Sequence, residues 1–156
     1  MIGLDLSTVF SIHPYWRILS TDRRQLTVLK SKHMKQILIV DDEPSLRSAL
    51  SELLSEETDL TVFQAEHGVQ ALQILKDEKI DLMLLDVDMP FLNGAGVVAE
   101  LAAKPAEYAQ PEILILTNRG DMDMVSKMVT LKVFDYVIKS DHSLAEIVQM
   151  VRAKLA

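Results

Sequence analysis

From residue 34 onward the chain alternates between two hydrophobic rhythms. Short, nearly unbroken apolar runs recur at 36–40, 60–65, 81–85, 112–117 and 134–138. Runs of this length, rich in Ile, Leu and Val, predict buried strands. Between them the apolar residues fall at helical spacing. Over 44–56, Leu46, Ala49, Leu50, Leu53 and Leu54 share one face, and Pro44 sits in the first turn, where its missing N–H does no harm. Over 68–77 the face is carried by Val69, Leu72 and Leu75. Helices are also predicted at 96–103, ending before Pro105, at 122–131 and at 143–154. Strand and helix therefore alternate strictly, five of each. That order predicts an α/β protein with a doubly wound, five-stranded parallel sheet covered by helices on both faces. Right-handed crossovers leave few ways to arrange it.

Residues 1–33 have neither period, and they lack the long apolar segment of a secretory signal. The reading is an N-terminal leader over 1–33, disordered or peripheral, and a folded domain over 34–156. Phe10, Tyr15 and Trp16 are costly to leave in water, so a small ordered element around 9–19 is allowed for.

Composition refines the picture. The 156 residues are 49% hydrophobic but only 5% aromatic, which gives an aliphatic core large enough for one full domain. There is no cysteine, which removes disulfide and thiolate chemistry and suits a cytoplasmic protein. No apolar stretch approaches a membrane span. Six basic and two acidic residues give 1–35 a net +4, so 36–156 carries −11 of the chain's overall −7. Such an acidic body repels phosphate backbones, and no direct nucleic-acid partner is expected.

The chemistry gathers where apolar runs stop. Ile37-Leu38-Ile39-Val40 ends in Asp41-Asp42, and Leu82-Met83-Leu84-Leu85 ends in Asp86. In open parallel sheets the carboxyl ends of the strands line the ligand crevice. Two neighbouring strands would bring Asp41, Asp42 and Asp86 into one pocket. Three carboxylates so close repel unless a cation joins them, and a hard, oxygen-binding ion such as Mg2+ is the natural occupant. Taken alone, Asp41-Asp42-Glu43-Pro44 also reads as a helix cap with an acidic first turn. Thr117 alone reads as a strand-end hydroxyl, Lys139 as a solvated lysine, and Tyr136 as a half-buried strand residue. The four histidines match no metal spacing, and the Met122/Met124/Met128 stripe reads as packing.

Taken together, five features in order make residues 36–154 resemble the receiver domain of bacterial response regulators. They are Asp41-Asp42 after the first strand, Asp86 after the third, the turn Met89-Pro90 to Asn93-Gly94, Thr117 after the fourth and Lys139 after the fifth. The resemblance implies a flavodoxin-like fold with strand order 2-1-3-4-5. It implies a phosphorylation-activated switch that accepts a phosphoryl group on Asp86 from a sensor histidine kinase or phosphotransfer protein, and not a conventional enzyme. By the same resemblance Asp42, Asp86 and the backbone carbonyl of Asp88 ligate Mg2+, and Asp41 acts through water. Lys139 pairs with Asp86 before phosphorylation and with a phosphoryl oxygen afterwards. Thr117 then moves its hydroxyl onto the phosphoryl group, and Tyr136 is the aromatic that turns inward in response. The implied output is a changed surface for a downstream protein, or a homodimer formed through the fourth helix, last strand and last helix. Because the chain stops at Ala156, just past the last helix, the reading is a stand-alone receiver.

Two positions depart from the family pattern. Ser140 follows Lys139 where proline, often cis, is usual, and a trans Lys139–Ser140 bond is expected because a non-proline cis bond costs about 2.5–4 kcal/mol. Asn118 follows Thr117 where a small residue is usual, which could narrow the phosphoryl site. Two rival readings follow from the residues. One is a phosphate-independent pseudo-receiver that binds a partner constitutively. The other is a haloacid-dehalogenase-like phosphatase, whose Asp-x-Asp motif Asp86-Val87-Asp88 resembles; that family carries the motif after its first strand, whereas here it follows the third and is trailed by Pro90.

Overall fold

The computed structural model describes residues 16–18, 28–30, 34–56, 59–118, 123, 126 and 135–156. The chain divides into two compact units, Met1–His33 and Met34–Ala156. In the first, β1 (Trp16–Ile18) pairs antiparallel with β2 (Val28–Lys30), Arg17 facing Leu29. The sequence pattern does not announce this pair, since three-residue strands are too short to show a period.

The second unit runs β3 (Lys35–Val40), α1 (Pro44–Ser55), β4 (Leu60–Ala65), α2 (Gly68–Asp77), β5 (Leu82–Asp86), α3 (Gly94–Ala103), β6 (Glu112–Thr117), β7 (Tyr136–Ile138), a 3-10 turn (Lys139–Asp141) and α4 (Leu144–Leu155). Its five strands form one parallel sheet in the order β4-β3-β5-β6-β7. Counted within this unit, that is the order 2-1-3-4-5. The helix expected at 122–131 falls largely outside the described residues; Asp123 and Ser126 within it are helical.

Alternation along each strand separates two cores. Leu38, Val40, Met83, Leu85 and Ile115 point to the side covered by α2 and α3, with Ala71, Leu75, Val97 and Leu101. Ile37, Ile39, Leu82, Leu84, Leu114 and Leu116 point to the side covered by α1 and α4, with Leu50, Leu54, Ile147 and Val151. Every residue of β5 is buried, as its central place requires.

Several boundaries differ from the sequence expectation, each for a local reason. Helix α3 starts two residues early because the Asn93 side chain caps it, accepting from Gly96 N at 2.9 Å. Ser143 stands outside α4 as its cap, in a reciprocal capping box with Glu146. Asp86 is the last residue of β5, paired in register with Leu116, where it was expected just beyond the strand. Among the described residues, no peptide bond is cis, so Lys139–Ser140 is trans. No helix among them is long and apolar enough to cross a membrane.

Candidate functional site

The carboxyl ends of β3, β5, β6 and β7 hold Asp41-Asp42, Asp86, Thr117 and Lys139. Asp41, just past β3, is fully buried, while Asp42 is exposed. Asp86 closes β5 and is buried. Carboxylate oxygens of Asp41, Asp42 and Asp86 all lie within 4.8 Å of one another. Lys139, delivered by the turn after β7, places Nζ 2.7 Å from Asp41 Oδ2 and 3.1 Å from Asp86 Oδ1. Its side chain is almost out of solvent, so this is a buried ion triad and not a surface pair.

The local backbone aims both carboxylates. Glu43 N donates to Asp41 Oδ1 at 2.8 Å, folding the strand-to-helix loop around the Asp41 side chain. The capping role does not go to either aspartate: the N-cap of α1 is Glu43, without a side-chain cap bond. Val87 N donates to Asp86 Oδ1 at 2.8 Å. Burial pushes the Asp86 carboxyl from 3.8 up to about 6; Lys139 opposes that rise and the Asp41 charge adds to it. Lys139 is held above its ordinary value. Burial works against its charge, but the contacts with Asp41 and Asp86 outweigh it.

The loop after Asp86 is tightly built. Gly94 N donates to the Val87 carbonyl at 3.0 Å, and Leu92 N donates to the Pro90 carbonyl at 2.8 Å. The latter bond closes a γ-turn centred on Phe91, whose φ is 67°, a left-handed value strained for a bulky residue. Phe91 is 86% exposed, and its ring meets the His67 ring edge-on, centroids 5.0 Å apart. His67 itself caps α2, its Nδ1 accepting from Gln70 N. Gly68 N donates to the Leu92 carbonyl at 3.1 Å, and a Cβ at Gly68 would stand 2.5 Å from that oxygen, so only glycine allows the approach. Asp88 lies in this loop with its side chain exposed.

Thr117 ends β6, fully buried, opposite Ile138 in register, and its hydroxyl donates to the Asn118 carbonyl at 3.1 Å. Tyr136 begins β7 and is 45% exposed. Sequence reasoning missed one residue here, Arg47. Its Nη1 donates to the Asp41 backbone carbonyl at 2.6 Å, and its Nη2 lies 3.4 Å from Glu66 Oε1. A signal was present: Arg47, Leu50 and Leu54 form the buried stripe of α1, so an arginine occupies a core position of the helical period.

The family model described as the response regulator receiver domain matches residues 37–152. This chain belongs to that family. It is a receiver domain of two-component signalling. It is 40% identical over 123 residues to the transcriptional regulatory protein CpxR of Klebsiella pneumoniae, covering 78% of this chain and 50% of that protein. It is 32% identical over 105 residues to sporulation initiation phosphotransferase F of Bacillus subtilis, covering 67% of this chain and 82% of that one. The receiver spans only 12%, 18% and 58% of three other curated relatives, among them sensor kinases. Among solved structures, the response regulator TrrA of Thermotoga maritima, in complex with Mg2+-BeF, superposes with a TM-score of 0.63 at 33% identity, over 78% of this chain and 99% of that one.

The donor set fits a hard divalent cation. Three carboxylates from two strand ends converge, none of the donors is soft, and their mutual repulsion is only partly relieved by Lys139.

Proposed function

We propose that this receiver accepts a phosphoryl group on Asp86 from a phosphohistidine of a sensor kinase or phosphotransfer protein. The observation that carries the reading is the buried contact of Lys139 with both Asp86 and Asp41, one cation shared by two carboxylates at neighbouring strand ends. In the transfer, an Asp86 carboxylate oxygen forms the new bond to phosphorus as the phosphorus–nitrogen bond of the donor breaks. The imidazole leaves with the electron pair and takes up a proton. Such transfers demand positioning and charge neutralisation more than acid–base help. Asp41, Asp42, Asp86 and the backbone carbonyl of Asp88 are the groups that would hold Mg2+, which supplies neutralising charge at the phosphoryl oxygens. Lys139 exchanges its carboxylate contact for a phosphoryl oxygen.

The output is a change of surface. The Thr117 hydroxyl, now on the Asn118 carbonyl, turns toward the phosphoryl group, and the half-exposed Tyr136 ring moves inward. The surface that changes is that of β7 and α4, where a downstream protein or a second copy docks. Residues 34–156 carry this function, in the cytoplasm, and the unit before Met34 is peripheral to it.

The test is incubation of the full chain with Mg2+ and acetyl phosphate, read by intact mass. One added phosphoryl group is expected, absent in Asp86→Asn and absent when the metal is chelated. Failure of the wild-type chain to gain the group would favour a phosphate-independent binding module. Retention in Asp86→Asn would move the acceptor elsewhere.

A further inference from the structure

One charged side chain beside the acidic pocket has no part in the phosphoryl chemistry. Arg47 is a core residue of α1, its side chain only 11% exposed. A buried guanidinium is costly unless its donors are satisfied. Nη1 reaches the carbonyl of Asp41 at 2.6 Å, and Nη2 reaches Glu66 Oε1 at 3.4 Å. Glu66 is just past β4, and its own amide is held by Gln70 Oε1 at 2.8 Å. The fork therefore ties α1 to the loop after β3 on one side and to the loop after β4 on the other. Asp41 is gripped at both ends: its carbonyl by Arg47 and its Oδ1 by Glu43 N. That leaves Oδ2 for Lys139, with no well-aligned hydrogen bond of its own.

We infer that Arg47 is a positioning residue for the Asp41–Glu43 loop. It fixes the Asp41 backbone from behind so that the carboxylates of Asp41 and Asp42 face Asp86. The inference rests on the reading of these carboxylates as a cation site. Its consequences oppose simple electrostatics. Removing a positive charge near three carboxylates should tighten Mg2+ binding by Coulomb attraction alone. Removing a positioning group should weaken it, by about 10- to 100-fold for groups that orient metal ligands.

The sign of the change separates the two. Arg47→Met keeps the packing stem in the α1 stripe, and Glu66→Gln alters only a side chain that is 68% exposed. Both would be titrated with MgCl2 by calorimetry, alongside amide hydrogen exchange at Glu43 and in β3 and β5. Expected are a Kd raised about tenfold or more in Arg47→Met, a smaller rise in Glu66→Gln, and Glu43 protection lost while the strands stay protected. An unchanged or lowered Kd, or a Glu43 amide as protected as in the wild type, would overturn the inference. If the wild type itself does not bind Mg2+, the cation reading falls, while the Glu43 amide still decides whether Arg47 holds the loop. If Arg47→Met loses strand protection too, the Glu43 amide in Glu66→Gln decides the matter, since loss of the Glu66 charge would raise the Kd by itself.

Discussion

Asp86 holds its charge where water scarcely reaches, and that has a measurable cost to the fold. Its folded-state pKa is raised from 3.8 to about 6, chiefly by burial. A carboxyl raised in this way favours the native state below pH 3.8 and loses that favour as pH rises through about 6, because the ionised form is worse off folded than unfolded. At about 1.4 kcal/mol per tenfold, the upper bound is about 3 kcal/mol. In metal-free buffer at pH 7, Asp86→Asn is therefore expected to raise stability by about 1–3 kcal/mol. The wild type should lose stability between about pH 4 and 6 relative to the variant. Added Mg2+ should stabilise the wild type only. Urea titrations across that pH range check both signs, and a variant less stable than wild type at about pH 7 would contradict the argument. Asp41, Asp86 and Lys139 could be read from the sequence because each ends an apolar run. Arg47 could not be singled out as a site residue by type, because an arginine on a helix is ordinarily solvated. Its shorter contact is to a backbone carbonyl, which leaves no trace in sequence.

At the scale of elements, the loop between β5 and α3 links the end of β5 at Asp86 to α2. Pro90, Asn93 and Gly94 announce a turn, and Asn93 serves as the cap that its type suggests. The γ-turn at Phe91 was not legible, because aromatic residues rarely take positive φ. The left-handed conformation costs a non-glycine residue about 1–2 kcal/mol. The Phe91 ring recovers a little through His67. Comparing Phe91→Gly with Phe91→Ala isolates the backbone, since both lose the ring. Glycine is expected to be the more stable of the two by about 1 kcal/mol in urea unfolding, after allowing for its larger unfolded-state entropy. Alanine equal to or better than glycine would mean that the loop relaxes out of this turn.

For the molecule as a whole, alternation of runs and helices was enough to set out the sheet, since short unbroken apolar strands and period-3.6 helices leave distinct marks. Ile37 and Leu38, adjacent in sequence, serve opposite cores. The pairing of Trp16–Ile18 with Val28–Lys30 left no such mark, because three-residue strands are too short to show a period.

The parallel sheet also sets a tempo. No two neighbouring strands in it are joined by a hairpin; each pairing awaits a crossover. The β3-α1-β4 circuit is short, which keeps its loop-closure cost low, and it pairs all six residues of β3 with all six of β4, the longest register in the sheet. It is expected to form early, and α4 to dock late against a sheet already assembled. Leu54 in α1 and Val151 in α4 line the same core yet belong to opposite ends of that sequence of events. Stopped-flow refolding should show Leu54→Ala slowing folding and Val151→Ala chiefly hastening unfolding. The reverse pattern would place the nucleus at the C-terminal edge. A nascent chain that folds in this order has Asp41 in place well before the lysine that partly offsets the acidic pocket has been added.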